Sequence, residues 1–259
     1  MSIHKTAIIQ DGAILADDVR IGPYTIIGSH VVIGKGTTVG SHTLIDGYTT
    51  IGEYNHIFSH AVLGTIPQDL KYNGEETYLT IGDNNTIREH TLINTGTAGG
   101  GYNTTIGSGN LIMGHVHIGH DCIIENNIVI ANSAILAGHV EIFSNAIIGG
   151  ISAVHQFCKI GEYAMLGGGS IVVQDIPPYC VCEGNRASLR GLNINGLRRH
   201  IQNRDNISEI KRAYKHLFES GNALSTSANE LMKSSENKYV KVLAQFVLDT
   251  KRGIPFTRK

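Results

Sequence analysis

The sequence predicts an all-β parallel β-helix, a triangular prism of hexapeptide repeats, followed by a small α-helical C-terminal domain. Aliphatic side chains recur at every sixth position through the middle of the chain, at Ile118, Ile124, Ile130, Leu136, Ile142, Ile148 and Val154. A period of six with one aliphatic per unit is the signature of this repeat architecture. Two interruptions of the repeat and a change of period near residue 193 complete the pattern.

The repeat can be followed along most of the chain. Eleven units run from Ile3 to Leu63, three from Ile81 to Ile93, and twelve from Ile106 to Val172. Three hexapeptides make one coil, so these 26 units predict nearly nine coils with residues 18 apart stacked above one another. Loops are predicted at 64–80 and 98–105, where turn residues replace the repeat. Pro177-Pro178 should end the helix because proline cannot donate to a ladder of hydrogen bonds. The β-helix domain is therefore predicted to span 1–185.

The remainder of the chain, residues 186–259, changes to helical periodicity. Apolar residues from Ile207 to Phe218 and from Tyr239 to Val247 are spaced for helix faces, with a short helix predicted at 224–233 between them. We therefore predict a small helical domain at this end.

Composition excludes several classes of protein and suggests a partner. No run of 18 apolar residues exists, so a membrane span is not expected. The N-terminus enters the repeat at Ile3 and leaves no room for a signal peptide, which favours the cytoplasm. Residues 1–185 hold six Lys+Arg and 16 Asp+Glu, a charge of −10, whereas residues 186–259 hold 15 and six, a charge of +9. A basic end on an acidic body suggests docking of an acidic partner, and no nucleic-acid partner is expected.

Stacking in steps of 18 residues brings several candidate catalytic groups together along one edge of the prism. Gly119-His120-Asp121, Ala137-Gly138-His139 and His155-Gln156-Phe157 fall in one column, and both loops leave from the same edge. Coils about 4.8 Å apart bring these groups within about 10 Å of one another. If Asp121 accepts the Nδ1 proton of His120, the Nε2 atom is free to act as a general base. The Gly138 N–H could hold a developing oxyanion.

Other interpretations of this edge remain open at this point. His115, His117, His120 and His139 form a histidine-rich group, and three histidines plus water make a catalytic zinc set, as in a hexapeptide-repeat zinc hydratase. No clear carboxylate stands behind each histidine, which disfavours zinc. A non-catalytic solenoid is disfavoured because loops and histidines share an edge. The sequence has neither a dinucleotide-binding glycine motif nor a P-loop, so Lys71 and Arg198-Arg199 are the candidate phosphate ligands.

Several motifs together resemble one family, the acyl-carrier-protein-dependent UDP-N-acetylglucosamine O-acyltransferases of lipid A biosynthesis. The resemblance covers the whole chain and rests on Gln68-Asp69-Leu70-Lys71-Tyr72, His117-Ile118-Gly119-His120-Asp121-Cys122, Leu136-Ala137-Gly138-His139-Val140, Ala153-Val154-His155-Gln156-Phe157, Gln174-Asp175-Ile176-Pro177-Pro178-Tyr179, Glu183-Gly184-Asn185, Gly191-Leu192-Asn193 and Gly196-Leu197-Arg198-Arg199.

The resemblance implies a left-handed β-helix and a homotrimer with active sites between subunits. It implies that His120, oriented by Asp121, takes the proton from the 3-hydroxyl of the sugar nucleotide as it attacks a 3-hydroxyacyl carrier protein, with Gly138 as the oxyanion donor. No cofactor or metal is implied, and the acidic carrier protein fits the +9 end of the chain.

The resemblance also implies a set of binding residues. Met165 and Gly168 are expected along the acyl-chain groove, where a glycine leaves room for a long chain. The residues expected to bind the substrates are Gln68, Asp69, Lys71, Asn94, His117, His139, His155, Gln156, Asn193 and Arg199.

Three positions depart from the usual family residues. Asn94 stands where the family commonly has histidine, and Arg186 and Asn195 are also unusual. If Asn94 lies near the sugar, the acceptor could be a 3-amino analogue, giving an amide product. The related N-acyltransferase of the same pathway carries an extra N-terminal domain, which a repeat beginning at Ile3 disfavours.

Overall fold

A computed structural model describes residues 2–256 of the chain. Met1 and residues 257–259, the outer ends of the two predicted domains, lie outside the described residues. The chain forms a left-handed parallel β-helix with three flat faces, as predicted, and the part that follows holds four α-helices within residues 2–256. None of the helices in residues 2–256 combines the length and apolar character that a bilayer crossing requires.

Each face of the prism is one sheet, and the strands are numbered here in chain order. The first face holds β1 Ser2–Ile3, β4 Arg20–Ile21, β7 Thr38–Val39, β10 His56–Ile57, β13 Thr86–Ile87, β16 Leu111–Ile112, β19 Val129–Ile130, β22 Ile147–Ile148, β25 Met165–Leu166, β27 Cys180–Glu183 and β28 Ser188–Leu192. The second face holds β2 Ile8–Ile9, β5 Ile26–Ile27, β8 Leu44–Ile45, β11 Val62–Thr65, β14 Leu92–Asn94, β17 His117–Ile118, β20 Ile135–Leu136, β23 Ala153–Val154 and β26 Ile171–Val172. The third face holds β3 Ile14–Leu15, β6 Val32–Ile33, β9 Tyr48–Ile51, β12 Tyr78–Ile81, β15 Asn103–Ile106, β18 Ile123–Ile124, β21 Glu141–Ile142 and β24 Lys159–Ile160.

The repeat predicts the pairing register because each coil repeats the inward aliphatic of the coil below. Ile118 pairs with Leu136 and Leu136 with Val154, which are steps of 18 residues. These aliphatics are buried and form one continuous core. Cys122 and Cys158 lie in the same core, and burial raises the pKa of the Cys122 thiol to about 12.

The first loop is shorter than the predicted 64–80, whereas the second, at 95–102, begins three residues earlier than the predicted 98–105 and has the same length. Strand β11 extends to Thr65 and β12 begins at Tyr78, so the first loop spans 66–77. The second interruption contains a short 3₁₀ turn, Ala98–Gly100, and β15 begins at Asn103. The extra strand residues form because β12 pairs along four residues with both β9 and β15.

The two prolines do not end the first face, contrary to the expectation. After Pro177-Pro178 the chain returns as β27, which pairs with β25, and β28 folds back antiparallel on it. The coil survives because the Tyr179 N–H still donates to Glu162 O at 2.9 Å. Strand β28 lies beyond residue 185 in the chain and still belongs to the first face, ending at Leu192. The predicted domain boundary at residue 185 therefore stays a prediction.

The helices after β28 pack on one another around a second apolar core. They are α1 Ile194–His200, α2 Arg204–Phe218, α3 Leu224–Ser234 and α4 Lys238–Asp249. The three longer helices match the predicted segments. The short α1 was not predicted from periodicity, since it buries only Leu197 among its own residues.

Candidate active site

The functional side chains lie at the corner between the second and third faces, which we call the site corner: residues 119–122, 137–140 and 155–158. Asp121, His139 and Phe157 there have positive φ values of 59°, 60° and 64°. This left-handed conformation turns the chain sharply at each coil. The turn explains how neighbouring residues His120 and Asp121, which would point apart on a strand, come into contact.

A buried carboxylate orients His120. The Nδ1 atom of His120 lies 2.7 Å from Oδ2 of Asp121, whose side chain is fully buried. Thr97 donates to the same carboxylate from its backbone N–H, at 2.8 Å, and from its hydroxyl, at 2.6 Å. When Asp121 is ionised its oxygens can only accept, so Nδ1 of His120 is the donor in this contact, and Nε2 of the neutral ring then presents a lone pair to the cleft.

Gly138 lies directly against the His120 ring. A Cβ atom added at Gly138 would stand 2.5 Å from Cε1 and 2.6 Å from Nε2 of that ring. Only glycine leaves room for the imidazole here. Among the hydrogen bonds of residues 2–256, none has the Gly138 N–H as its donor. A backbone donor is therefore free beside the candidate base.

The first loop brings a second carboxylate to the cleft. Oδ2 of Asp69 lies 4.0 Å from Nε2 of His120, and Oδ1 accepts the Lys71 N–H at 2.9 Å, which fixes the turn of the loop. Gln68 and Lys71 are exposed on this loop. Asp69 and His120 thus face each other across the space that a hydroxyl group could occupy.

Two further histidines, His139 and His117, border the cleft. His139 packs edge-on against His120, with ring centroids 5.1 Å apart, and stacks on Phe157 at 4.4 Å. Its Nε2 lies 3.6 Å from Oδ2 of Asp121. Burial lowers the pKa of His139, and burial followed by the neighbouring His120 lowers the pKa of His117. Nδ1 of His117 is buried without a hydrogen-bond partner in the described structure.

Two predicted binding residues have other partners in this structure. Asn94 is buried, and its Nδ2 donates to Ile66 O at 2.9 Å, so it anchors the base of the first loop and is not open to the cleft. Asn193 caps α1 by accepting the Gly196 N–H and donates to Tyr163 O at 3.0 Å.

The remaining predicted residues divide between the site corner and more distant positions. His155 and Gln156 are exposed on the coil above His139, where Nη2 of Arg252 lies 3.2 Å from Nδ1 of His155. Met165 lies on the first face and Gly168 at the corner between the first and second faces. Arg199 is exposed on α1. One chain therefore does not bring Met165 or Gly168 to His120.

The four histidines of the alternative zinc interpretation do not come together within residues 2–256. His115 lies at the corner between the first and second faces, stacked on His90 at 4.7 Å. Ligand atoms of His120, Asp121 and His139 do lie within 4.8 Å of one another. However, Thr97 and His120 already occupy both oxygens of Asp121. This saturation favours an oriented base over a metal centre.

Thr97 and Phe157 are site residues that sequence reasoning did not assign a role. Thr97 follows Asn94 in Ile93-Asn94-Thr95-Gly96-Thr97, at the edge where the second loop leaves. The sequence signal that could have identified Thr97 as a site residue is its position just before the loop that leaves the edge carrying His120 and His139.

Two family models match the chain. One describes "Udp N-acetylglucosamine O-acyltransferase; Domain 2" and matches residues 175–255. The other describes the bacterial transferase hexapeptide repeat and matches residues 1–35.

Similar proteins cover the whole chain. An acyl-[acyl-carrier-protein]–UDP-N-acetylglucosamine O-acyltransferase from Aliarcobacter butzleri is 62% identical over 258 residues, covering 100% of this chain and 99% of that protein. The protein of the same name from Sulfurovum sp. is 57% identical over 258 residues, with the same coverage.

Solved structures agree with the sequence matches. The UDP-N-acetylglucosamine acyltransferase from Campylobacter jejuni is 44% identical, with a TM-score of 0.95 over 99% of this chain and 100% of that one. The acyltransferase from Francisella novicida is 36% identical, with a TM-score of 0.94 over 97% and 93%. The prism, the corner and these relatives together show that the chain is an enzyme of the acyl-[acyl-carrier-protein]–UDP-N-acetylglucosamine O-acyltransferase family.

Proposed function

We propose that this enzyme transfers a 3-hydroxyacyl chain from acyl carrier protein to the 3-hydroxyl of UDP-N-acetylglucosamine, the first step of lipid A biosynthesis, with His120 as general base. The observation that carries the proposal is the contact of His120 with buried Asp121, beside the free N–H of Gly138. The relatives are named for transfer between these two substrates.

The proposed reaction is an acyl transfer in two balanced steps. The sugar 3-hydroxyl oxygen attacks the thioester carbonyl while its proton passes to Nε2 of His120. The tetrahedral oxyanion accepts a hydrogen bond from the Gly138 N–H. Collapse breaks the carbon–sulfur bond, and the carrier thiolate takes the proton from the imidazolium. Asp121 stabilises the transient charge on His120, and Asp69 is positioned to hold the acceptor hydroxyl.

A homotrimer is part of the same proposal. The outward side chains of the second face are aliphatic except for His117, and they are Ile8, Ile26, Leu44, Val62, Leu92, His117, Ile135, Ala153 and Ile171. A continuous apolar stripe of this kind marks an interaction surface. Copies packed through this face around a threefold axis would bring the corner with Gly168 of one copy toward the site corner of the next. A shared cleft would account for the separation of Met165 from His120.

The acceptor in this proposal carries a hydroxyl group. The 3-amino alternative depended on Asn94 lying near the sugar, and the Asn94 side chain is 2% exposed. Its Nδ2 atom is bound by the base of the first loop, which favours the hydroxyl acceptor, while its buried Oδ1 atom has no hydrogen-bond partner within residues 2–256. Cytoplasmic localisation remains an expectation from the sequence.

A direct assay tests the proposed function. Purified enzyme with 3-hydroxyacyl carrier protein should form an ester with UDP-N-acetylglucosamine, which mass spectrometry and alkaline hydrolysis of the product identify. The 3-amino sugar nucleotide should react more slowly. A strong preference for that analogue, or thioester hydrolysis without transfer, would contradict the proposal. Analytical ultracentrifugation should give the mass of a trimer.

A further inference from the structure

After its last helix the chain returns to the β-helix beside the site corner. Residues 250–256, which we call the C-terminal strap, follow the end of α4. The buried carboxylate of Asp175 holds this strap, since its Oδ2 accepts the Thr250 hydroxyl at 2.6 Å and the Arg252 N–H at 3.3 Å. The Asp175 N–H in turn donates to Gly253 O at 2.8 Å. These bonds fix the backbone on both sides of the Arg252 side chain.

The Arg252 side chain reaches the last coil of the site corner. Its Nη2 donates to Val173 O at 3.2 Å and lies 3.2 Å from Nδ1 of His155. Burial raises the pKa of the Cys158 thiol to about 11, and the nearby positive charge of Arg252 acts against that rise. Within residues 2–256, no side-chain carboxylate lies within ion-pair distance of the guanidinium. The strap therefore adds to this corner a cation that no carboxylate neutralises.

The contact with Arg252 determines which nitrogen of His155 carries the proton. A guanidinium can only donate, so Nδ1 of His155 is the acceptor, and the proton of the neutral ring resides on Nε2. Nδ1 also lies 3.3 Å from Gln156 O, a contact that would need a proton on Nδ1. That proton would point at an N–H of Arg252, whereas the exposed Gln156 can pair its carbonyl with water. The proton therefore belongs on Nε2.

Two histidines of the site corner are thus held in opposite tautomers. Asp121 makes Nδ1 of His120 a donor and leaves a lone pair on Nε2. Arg252 makes Nδ1 of His155 an acceptor and leaves an N–H on Nε2. The first arrangement suits a base, and the second suits a donor to an acceptor oxygen of a ligand.

We propose that Arg252 is a positioning residue for the sugar nucleotide, holding His155 as an Nε2–H donor toward the diphosphate. This inference rests on the proposed function, since it concerns the acceptor of that reaction. The coil that carries His155 lies two coils, about 10 Å, from the coil of His120. One sugar ring separates the 3-hydroxyl of the nucleotide from its diphosphate, so a nucleotide whose hydroxyl meets His120 can extend its phosphates toward His155. The positive charge of Arg252 favours this anion over the uncharged thioester of the acyl donor.

The test compares R252A with K251A, which removes the same charge from the adjacent, exposed residue of the strap. For R252A, the KM and the calorimetric Kd for UDP-N-acetylglucosamine should rise about tenfold, the equivalent of one hydrogen bond to a charged group. The Kd for UDP, which keeps the diphosphate without the sugar, should rise by the same factor. The kcat and the KM for acyl carrier protein should stay near the parent values, and K251A should match the parent throughout.

A second variant tests whether Arg252 acts through His155. In H155Q, the side-chain amide offers an N–H near the place of Nε2 without needing Arg252 to fix a tautomer. Adding R252A to H155Q should therefore raise the Kd for UDP-N-acetylglucosamine by less than about twofold, because the two residues act as one unit. Circular dichroism provides the control that each variant keeps the β-helix.

Several outcomes would overturn the proposal. Equal effects of R252A and K251A would indicate general charge attraction, and a full R252A effect in the H155Q background would show that Arg252 acts without His155. A raised KM for the carrier protein alone, or a fall in kcat with an unchanged KM for the nucleotide, would also contradict it. Calorimetry needs no turnover, so a parent enzyme that binds the nucleotide through Arg252 without acyl transfer would overturn only the proposed function.

Discussion

Two columns of rings run along different corners of the prism, and only one of them forms a site. At the corner between the first and second faces, a column of Tyr24, His42, His60, His90 and His115 stacks with ring centroids 4.7 to 5.1 Å apart and interplanar angles of 2° to 19°. We call this column the histidine ladder. At the site corner, His120 and His139 instead meet edge-on at 89°.

The difference lies in hydrogen bonding rather than in the number of histidines. In the described residues, no ring nitrogen of the ladder histidines His42, His60, His90 and His115 has a hydrogen-bond or ion-pair partner, and each ring stacks on the rings next to it in the column. His120 is held by Asp121, which Thr97 holds in turn. A column of histidines therefore follows from coil spacing alone, whereas a base requires a buried carboxylate beside it. The following predictions test that distinction.

The largest of these effects is expected from Asp121→Asn. The amide would present an NH₂ group to donors of Thr97 and could no longer fix the proton on Nδ1 of His120. The value of kcat should fall about 10²-fold or more. The control, Asp83→Asn, changes a carboxylate that caps the Glu53 N–H at another corner, and its kcat should stay near the parent value. Equal losses in steady-state assays would contradict the role of Asp121.

A smaller but still large loss is expected from Gly138→Ala. The added Cβ would push the His120 ring away, since it would lie 2.5 Å from Cε1. We expect kcat to fall at least about tenfold, in line with a displaced base. Gly114→Ala, beside the ladder, would meet its nearest atom at 3.2 Å and should change kcat little. Unchanged turnover of Gly138→Ala would show that the ring need not lie over this glycine.

Asn94→Ala tests whether the first loop is held from its base. Loss of the contacts with Thr65 and Ile66 should let the segment with Asp69 move. The KM for UDP-N-acetylglucosamine should rise about fivefold, the equivalent of one lost hydrogen bond. Kinetics with both substrates varied measure this. A fall in kcat with an unchanged KM would contradict the anchoring role.

The smallest effect concerns the pH dependence of stability. Burial lowers the pKa of His117 in the folded chain below its unfolded value of about 6.5. The unfolded chain then takes up the proton first, so this residue reduces stability as pH falls below that value. The loss of melting temperature from about pH 7.5 to about pH 5.5 should be smaller in His117→Asn than in the parent. An equal or larger loss would contradict this sign.

Much of the architecture follows from the repeat, because one inward aliphatic per six residues determines the coils and their register. The edge carrying His120 and Gly138 follows from the same arithmetic. The direction of the Asn94 side chain does not, because the last residue of a strand beside a loop can face either the cleft or the loop base. The contact with Ile66 that decides it depends on a loop without a repeat. The family resemblance assigned Met165 to the acyl-chain groove. Only the three-dimensional structure shows that Met165 lies on the first face, away from His120 at the site corner.

The most direct test of the oriented base compares His120→Ala with His90→Ala from the histidine ladder in one transfer assay. Both variants remove one imidazole from a ring column, and circular dichroism should show the same β-helix in each. We expect kcat to fall about 10²-fold or more for His120→Ala, the scale of general-base catalysis, and to stay near the parent value for His90→Ala. Turnover of His120→Ala near the parent rate, or equal losses in the two variants, would contradict this expectation.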